Sequence, residues 1–385
     1  MTLPAPRARR RPSVTGRLLP SLLVLTLLAP LTVLFVQSWR SLGDDHDLVT
    51  AERLGIEYLR ALSPVTDALV DAQTAAVTGR PVPGDALTRT VEAAAAVDAR
   101  LGDELRSRER WAGLRAKIEA LRDRGPTEPD TAYAAYVTVT DLLLALHRKI
   151  RQTSGLVRDP EPDTFFLQDG AGEELPEAVV ATGRLADLAV LAARQPAAQQ
   201  PVAELAAARV AALAPASALV ADLRAAVDSS ESTDLGANAL TPLDTYQRSV
   251  EALAAHSTPG AIDPAQLAAA RSTAQAAARQ LQPVIFDELD TLLADRRDGL
   301  DRDRWLAVGA AALTVVFLAV LALVPLAALR PAARRAAGPR PPAEEPAALA
   351  AADGWQQPAE PRPLPTDVPT RDPNTAQWEL FDAAR

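Results

Sequence analysis

The sequence predicts an all-α protein: an elongated antiparallel helical bundle between two transmembrane helices, followed by a disordered Pro-rich C-terminal tail. Three observations carry this. Of the 385 residues 48 % are apolar, with Ala prominent, while Phe, Trp and Tyr together number only 15. Alanine is the strongest helix former and aromatics are the bulkiest core fillers, so this balance favours closely packed helices over a β-sandwich or barrel. Apolar residues recur every three or four positions through the middle of the chain, and two long segments, 18–39 and 305–329, contain no charged residue.

Those two segments divide the chain. Residues 1–17 form a basic N-terminus, 18–39 the first transmembrane helix, 40–304 an extracytoplasmic domain, 305–329 the second transmembrane helix and 330–385 the tail. Twenty-two and 25 uncharged positions each suffice to cross about 30 Å of hydrocarbon at 1.5 Å per residue. The first is too long for a cleaved signal peptide, and Phe35-Val36-Gln37-Ser38-Trp39 offers no small-residue cleavage site. Arg7, Arg9, Arg10, Arg11 and Arg17 precede it, whereas Arg40 and Arg53 follow on the far side. The positive-inside rule therefore puts both termini in the cytoplasm of a two-pass cell-membrane protein.

Within the outer domain the helices follow in order. The first covers 44–78, with Leu48, Ala51, Leu54, Ile56, Leu59, Leu62, Val65, Leu69 and Val70 inward, and ends at Thr78-Gly79-Arg80-Pro81. The second runs over 85–124 behind Trp111, Leu114, Ile118 and Leu121. A third starts near Asp130 as N-cap and carries Tyr133, Tyr136, Val137, Leu142, Leu143, Leu146 and Ile150. Helices over 175–194 and 201–227 come next, then a polar loop over 229–239 and a shorter helix over 241–255. The last opens at Asp263-Pro264 and runs to 303, with Pro283 expected to kink it. Helices of 35–40 residues that run straight into the two spans predict an antiparallel pair prolonging them outward.

Composition also excludes chemistry. With no Cys there is no disulfide, thiolate metal site or Cys nucleophile. His46, His147 and His256 lie far apart in sequence. Residues 41–303 hold 26 Lys and Arg against 41 Asp and Glu, a charge that repels nucleic acid. No nucleotide loop, Ser/His/Asp set or metalloprotease motif is present. The chain reads as a non-enzyme without cofactor, with no catalytic or metal residue singled out.

Two stretches carry a resemblance. Glu52-Arg53-Leu54-Gly55-Ile56-Glu57-Tyr58 lies just beyond the first span. About a hundred residues on comes Leu156-Val157-Arg158-Asp159-Pro160-Glu161-Pro162-Asp163-Thr164-Phe165-Phe166, and Leu175-Pro176-Glu177 opens the next helix. Together these resemble the extracytoplasmic helical sensor domain of bacterial methyl-accepting chemotaxis proteins and related sensor kinases. Members carry a Glu-Arg-x-Gly-x-x-Tyr opening, then Leu-x-x-Asp-Pro-x-x-Asp-(Ser/Thr)-aromatic-aromatic before a Leu-Pro turn. The resemblance implies a sensor, often dimeric. This chain departs from it at Asp71-Ala72-Gln73-Thr74, where relatives often have a basic residue. It departs again beyond 329, where 56 residues rich in Pro replace the long cytoplasmic transmitter. The expectation is a sensor that signals through a separate cytoplasmic protein.

The sharpest cluster is Asp159, Asp163, Phe165, Phe166 and Asp169. It reads either as a ligand pocket walled by the aromatics or as a shape-fixing junction, with Asp159-Pro160 ending one helix, Asp163 capping the next and the two Phe plugging the gap. Asp44, Asp45, His46 and Asp47 read as a solvated acidic collar. Glu173-Glu174 and Asp287-Glu288-Asp290 read as charged helix faces. In the tail, Trp378, Leu380 and Phe381 form a candidate linear anchor for a partner groove. Expected partners are the lipid bilayer, an outer ligand or envelope protein, and a cytoplasmic protein held by the tail. An alternative to the sensor is an envelope scaffold with no small ligand.

Overall fold

A computed structural model describes residues 15–158, 161–194, 199–230, 233–258 and 262–335. Among these residues the chain is helical, with no strand. It divides into two compact units, Met1–Val324 and Pro325–Arg385; the described residues of the second, 325–335, are helical. The tail beyond 335 and the N-terminal arginines up to Arg11 lie outside the described residues.

The elements are α1 (Thr15–Thr78), α2 (Gly84–Leu101), α3 (Arg108–Arg124), α4 (Pro129–Ser154), α5 (Pro162–Asp169), a π-helical segment (Gly170–Glu174), α6 (Leu175–Arg194), α7 (Gln199–Ser229), α8 (Thr233–His256) and α9 (Pro264–Arg335). Helix α1 runs without interruption from the first apolar segment into the domain. It ends where expected, at Gly79, whose φ of 73° an L side chain adopts only with strain. Helix α9 opens as the sequence predicts: Asp263 Oδ1 accepts a hydrogen bond from the Ala265 backbone N–H at 2.9 Å, with Pro264 at the first helical position. It passes through Pro283 as one helix.

Contacts between α1 and α9 fix their direction. Asp71 pairs with Arg271 at 3.0 Å, Arg60 with Asp287 at 2.6 Å, Glu52 with Arg296 at 3.9 Å and His46 with Asp301 at 3.7 Å. The Arg304 guanidinium lies 5.8 Å from the Trp39 ring centre. Numbers fall on one helix as they rise on the other, so the two are antiparallel. On the charged face of α9, the exposed Asp287 and half-buried Asp290 hold Arg60, which also lies 5.4 Å from the Phe286 ring centre.

Most of the inward positions read from the 3.6-residue period are buried: Ile56, Leu59, Leu62, Val65, Leu69 and Val70 on α1, and Leu267, Ala274, Leu281, Ile285 and Leu289 on α9. All but Leu267 join one large apolar core. A second cluster, including Leu185, Ala189, Leu205, Ala212, Leu253 and Leu267, packs α6, α7, α8 and α9 together.

Three local readings differ from the structure. The single helix expected over 85–124 is broken after Leu101, because Asp98 accepts hydrogen bonds from the Tyr58 hydroxyl at 2.7 Å and the Ser107 hydroxyl at 2.9 Å, which anchors the turn to α1. The polar stretch over 229–239 is helical from Thr233 onward. Helix α4 starts at Pro129 with no side-chain cap, leaving Asp130 in the first turn rather than at the N-cap.

Candidate functional site

The junction singled out in the sequence gathers charge around one buried cation. Arg151 comes from the last turn of α4, Asp169 from the end of α5, Glu173 and Glu174 from the π-helical segment and Asp222 from α7. Arg151 is buried and ion-paired with both Asp169 and Glu173. The π-helical segment, a geometry frequent where a helix must re-aim its side chains, turns Glu173 toward it. Gly172 is what lets the segment pass: a Cβ there would sit 2.6 Å from the Arg151 Cδ. Glu173 and Glu174, read as a charged helix face, stand half-buried in this segment, with Glu173 paired to Arg151.

Carboxylate oxygens of Asp169, Glu174 and Asp222 all lie within 4.8 Å of one another. Burial raises the Glu174 pKa to about 7, helped by the charges of Asp169, Asp222 and Glu177 and opposed by Arg151. Burial raises Asp222 to about 6, with Asp169 adding to it and Arg151 opposing. Three oxygens so placed form the kind of donor set that takes a hard cation, or else share protons near neutral pH.

The pH dependence follows from the sign of these shifts. A carboxyl whose folded pKa lies above its unfolded value holds more protons when folded, so its contribution is complete at low pH and is lost as pH rises. For Glu174 that window runs from its ordinary 4.5 to about 7. Glu174→Gln is expected to raise the melting temperature at pH 8 and to leave it unchanged at pH 4. Parallel thermal melts of variant and wild type check this, and an equal difference at both pH values would contradict it.

The other predicted residues divide. Phe165 and Phe166 meet edge to face, centres 5.6 Å apart at 72°, and Phe166 packs on the main core. Both rings are half-buried. Asp163 stands in the first turn of α5, where the capping position is Glu161, with no side-chain capping bond. Asp159, Trp378, Leu380 and Phe381 lie outside the described residues. Asp44, Asp45 and Asp47 are exposed, and His46 pairs with Asp301.

The two stretches that carry the resemblance pack on each other. Gly55 of α1 abuts Ser154 and Leu156 at the end of α4, and Leu48 fills the space beside Gly155, whose φ is 88°. Buried Glu52 faces Arg296, and Arg296 also reaches Glu161 at 3.5 Å. Their residue types serve a close helix crossing.

A second polar layer escaped the sequence reading. Asp187 of α6 is fully buried and accepts hydrogen bonds from the Gln73 amide and the Thr74 hydroxyl of α1, each at 2.8 Å. Asp71 takes Arg271 at 3.0 Å and Gln275 at 3.2 Å from α9. Burial raises Asp187 to about 6, against the hydrogen bonds and the charge of Arg271, and raises Asp67 to about 7, against Arg279. The layer thus ties α1, α6 and α9 together. Its signal was present: an Asp inside Leu185-Ala186-Asp187-Leu188-Ala189, and acids four apart on α1 facing Arg271, Gln275 and Arg279 four apart on α9.

Two described helices are long and apolar enough to cross a membrane, Ala203–Ser229 and Pro264–Val320. They differ in surroundings. A third of the apolar window of α7 is buried, and Leu205, Ala212, Ala216, Leu219 and Leu223 face the core. None of the α9 window is buried: Trp305, Leu313 and Phe317 are 76, 73 and 67 % exposed. The same holds on α1, where Leu27, Val33 and Leu34 are each 63 % exposed. A shallow, open recess lies along the exposed face of α1 at Val33, Val36, Gln37 and Arg40, away from both polar layers. Compared with known proteins, the chain matches no family model, no curated protein and no solved structure.

Proposed function

We propose that the protein is a two-span membrane receptor rather than an enzyme. An extracytoplasmic helical bundle senses a ligand or envelope partner, and a separate cytoplasmic protein, recruited by the tail, carries the output. The observation behind this is continuity: α1 and α9 each pass unbroken from an exposed apolar stretch into an antiparallel pair cross-linked by ions. Rows of exposed Leu, Val and Phe of that length suit a bilayer, not water. The Asp71–Arg271–Gln275 contacts supply discrete arrangements that a small sliding of α9 along α1 would exchange, while Asp187 of α6 holds α1 through Gln73 and Thr74. The alternative is an envelope scaffold with no small-molecule ligand.

Because the chain has no Cys, one introduced thiol reports topology cleanly. A membrane-impermeant maleimide is expected to label Thr127→Cys, in the exposed α3–α4 connection, on intact cells, and Ala351→Cys only after lysis. The reverse pattern overturns the topology. For the receptor itself, some solute in a metabolite library should raise the melting temperature of the full chain in detergent. No shift from any solute, with one envelope protein crosslinked in every medium, establishes the scaffold instead.

A further inference from the structure

Resting on the two-span reading, we propose that the face of α1 carrying Val33, Val36, Arg40 and Asp44 binds a zwitterionic phospholipid of the phosphatidylethanolamine type, its phosphate on Arg40 and its ammonium on Asp44. These positions are three or four apart and share one side of the helix. Val33 and Val36 are 63 and 40 % exposed, and Arg40 and Asp44 are exposed too. The recess along this side also includes Gln37 and Ser41, whose side chains offer hydrogen bonds at headgroup and ester level.

What selects the ligand is the order of charge. Leaving the apolar segment, the face presents hydrocarbon, then a cation, then an anion. A phosphatidylethanolamine presents acyl chain, then phosphate, then ammonium. Four residues rise about 6 Å, the same order as the span from phosphate to ammonium across the two-carbon bridge. Nearby, Arg304 of α9 lies over Trp39 and His46 pairs with Asp301, while Asp45 and Asp47 are exposed. Arg40 and Asp44 have no ion-pair partner among the described residues, not even each other. Arg40 is free for a charge-assisted bond to phosphate just beyond the interfacial Trp39. A purely anionic headgroup would meet Asp44 and, above it, a domain with a large excess of acids.

Full-chain protein in nanodiscs of equal phosphatidylethanolamine and phosphatidylglycerol, released into detergent and examined by native mass spectrometry, tests this. Wild type is expected to retain phosphatidylethanolamine over phosphatidylglycerol by about fivefold, roughly what one exposed ion pair supplies. Arg40→Gln and Asp44→Asn should bring the ratio to parity, and Asp44→Lys should invert it. These exposed substitutions leave the core untouched, so circular dichroism should match wild type. Equal retention of both lipids by wild type, or the wild-type ratio in all three variants, overturns the lipid site while the protein remains embedded. Extraction of the chain from membranes by alkaline carbonate overturns the two-span reading and this site with it.

Discussion

Replacing Arg151 by methionine is expected to lower the melting temperature of the full chain by about 10 °C. The side chain is only 5 % exposed, while its partners Asp169 and Glu173 keep 26 and 34 % of their surface. Removing one member of a buried pair costs about 3–5 kcal/mol, chiefly because the partners stay behind desolvated and unpaired. Their partial exposure puts this case near the lower end, about 3 kcal/mol, and a domain of this size loses about 2–4 °C per kcal/mol. Four carboxylates, Asp169, Glu173, Glu174 and Asp222, would then face one another without the cation that opposes their repulsion. The loss should therefore be larger at pH 8 than at pH 5, where protons replace the missing charge. Arg151→Lys, which keeps the charge but not the fork that reaches two acids, should fall between. A change below about 2 °C at pH 8 would show that the cluster does not depend on Arg151 for its stability.

How far the sequence foretold this site can be read residue by residue. Asp169 was legible because it ends a run of Asp, Pro and Phe with strong turn chemistry. Arg151 and Asp222, 18 residues before and 53 residues after it, were not, since no periodicity links α4, α5 and α7 across such separations. Helix limits at Thr78 and over Leu175–Arg194 were legible because Gly or Pro punctuates an apolar period there. The break after Leu101 was not, because it hangs on Asp98 meeting Tyr58, a contact across 40 residues. Leu142 was placed inward yet is 40 % exposed: the apolar stripe on α4 is broader than its buried face, and Leu143 and Leu146 fill the core. Tertiary contacts decided each miss.

Gly55→Leu is expected to destabilise the protein by about 4 kcal/mol, at the severe end of single substitutions. Gly55 sits where α1 crosses the end of α4. A Cβ there would lie 2.5 Å from the Ser154 Cβ and 3.0 Å from the Leu156 Cδ1, and a full isobutyl group would drive further into a fully packed seam. Alanine in place of glycine gains about 1 kcal/mol of helix propensity, so Gly55→Ala should lose less, about 1–2 kcal/mol, from strain alone. Ser154→Gly removes the obstructing side chain, and a double-mutant cycle should recover most of the Gly55→Ala loss in the pair. Gly113→Ala is the control: nothing lies within 4 Å of its Cβ on α3, and it should raise stability by about 0.5–1 kcal/mol. If Gly55→Ala stabilises like Gly113→Ala in thermal melts, the two resemblance-bearing stretches do not hold α1 against α4. Their sequence would then call for an explanation in binding rather than in packing.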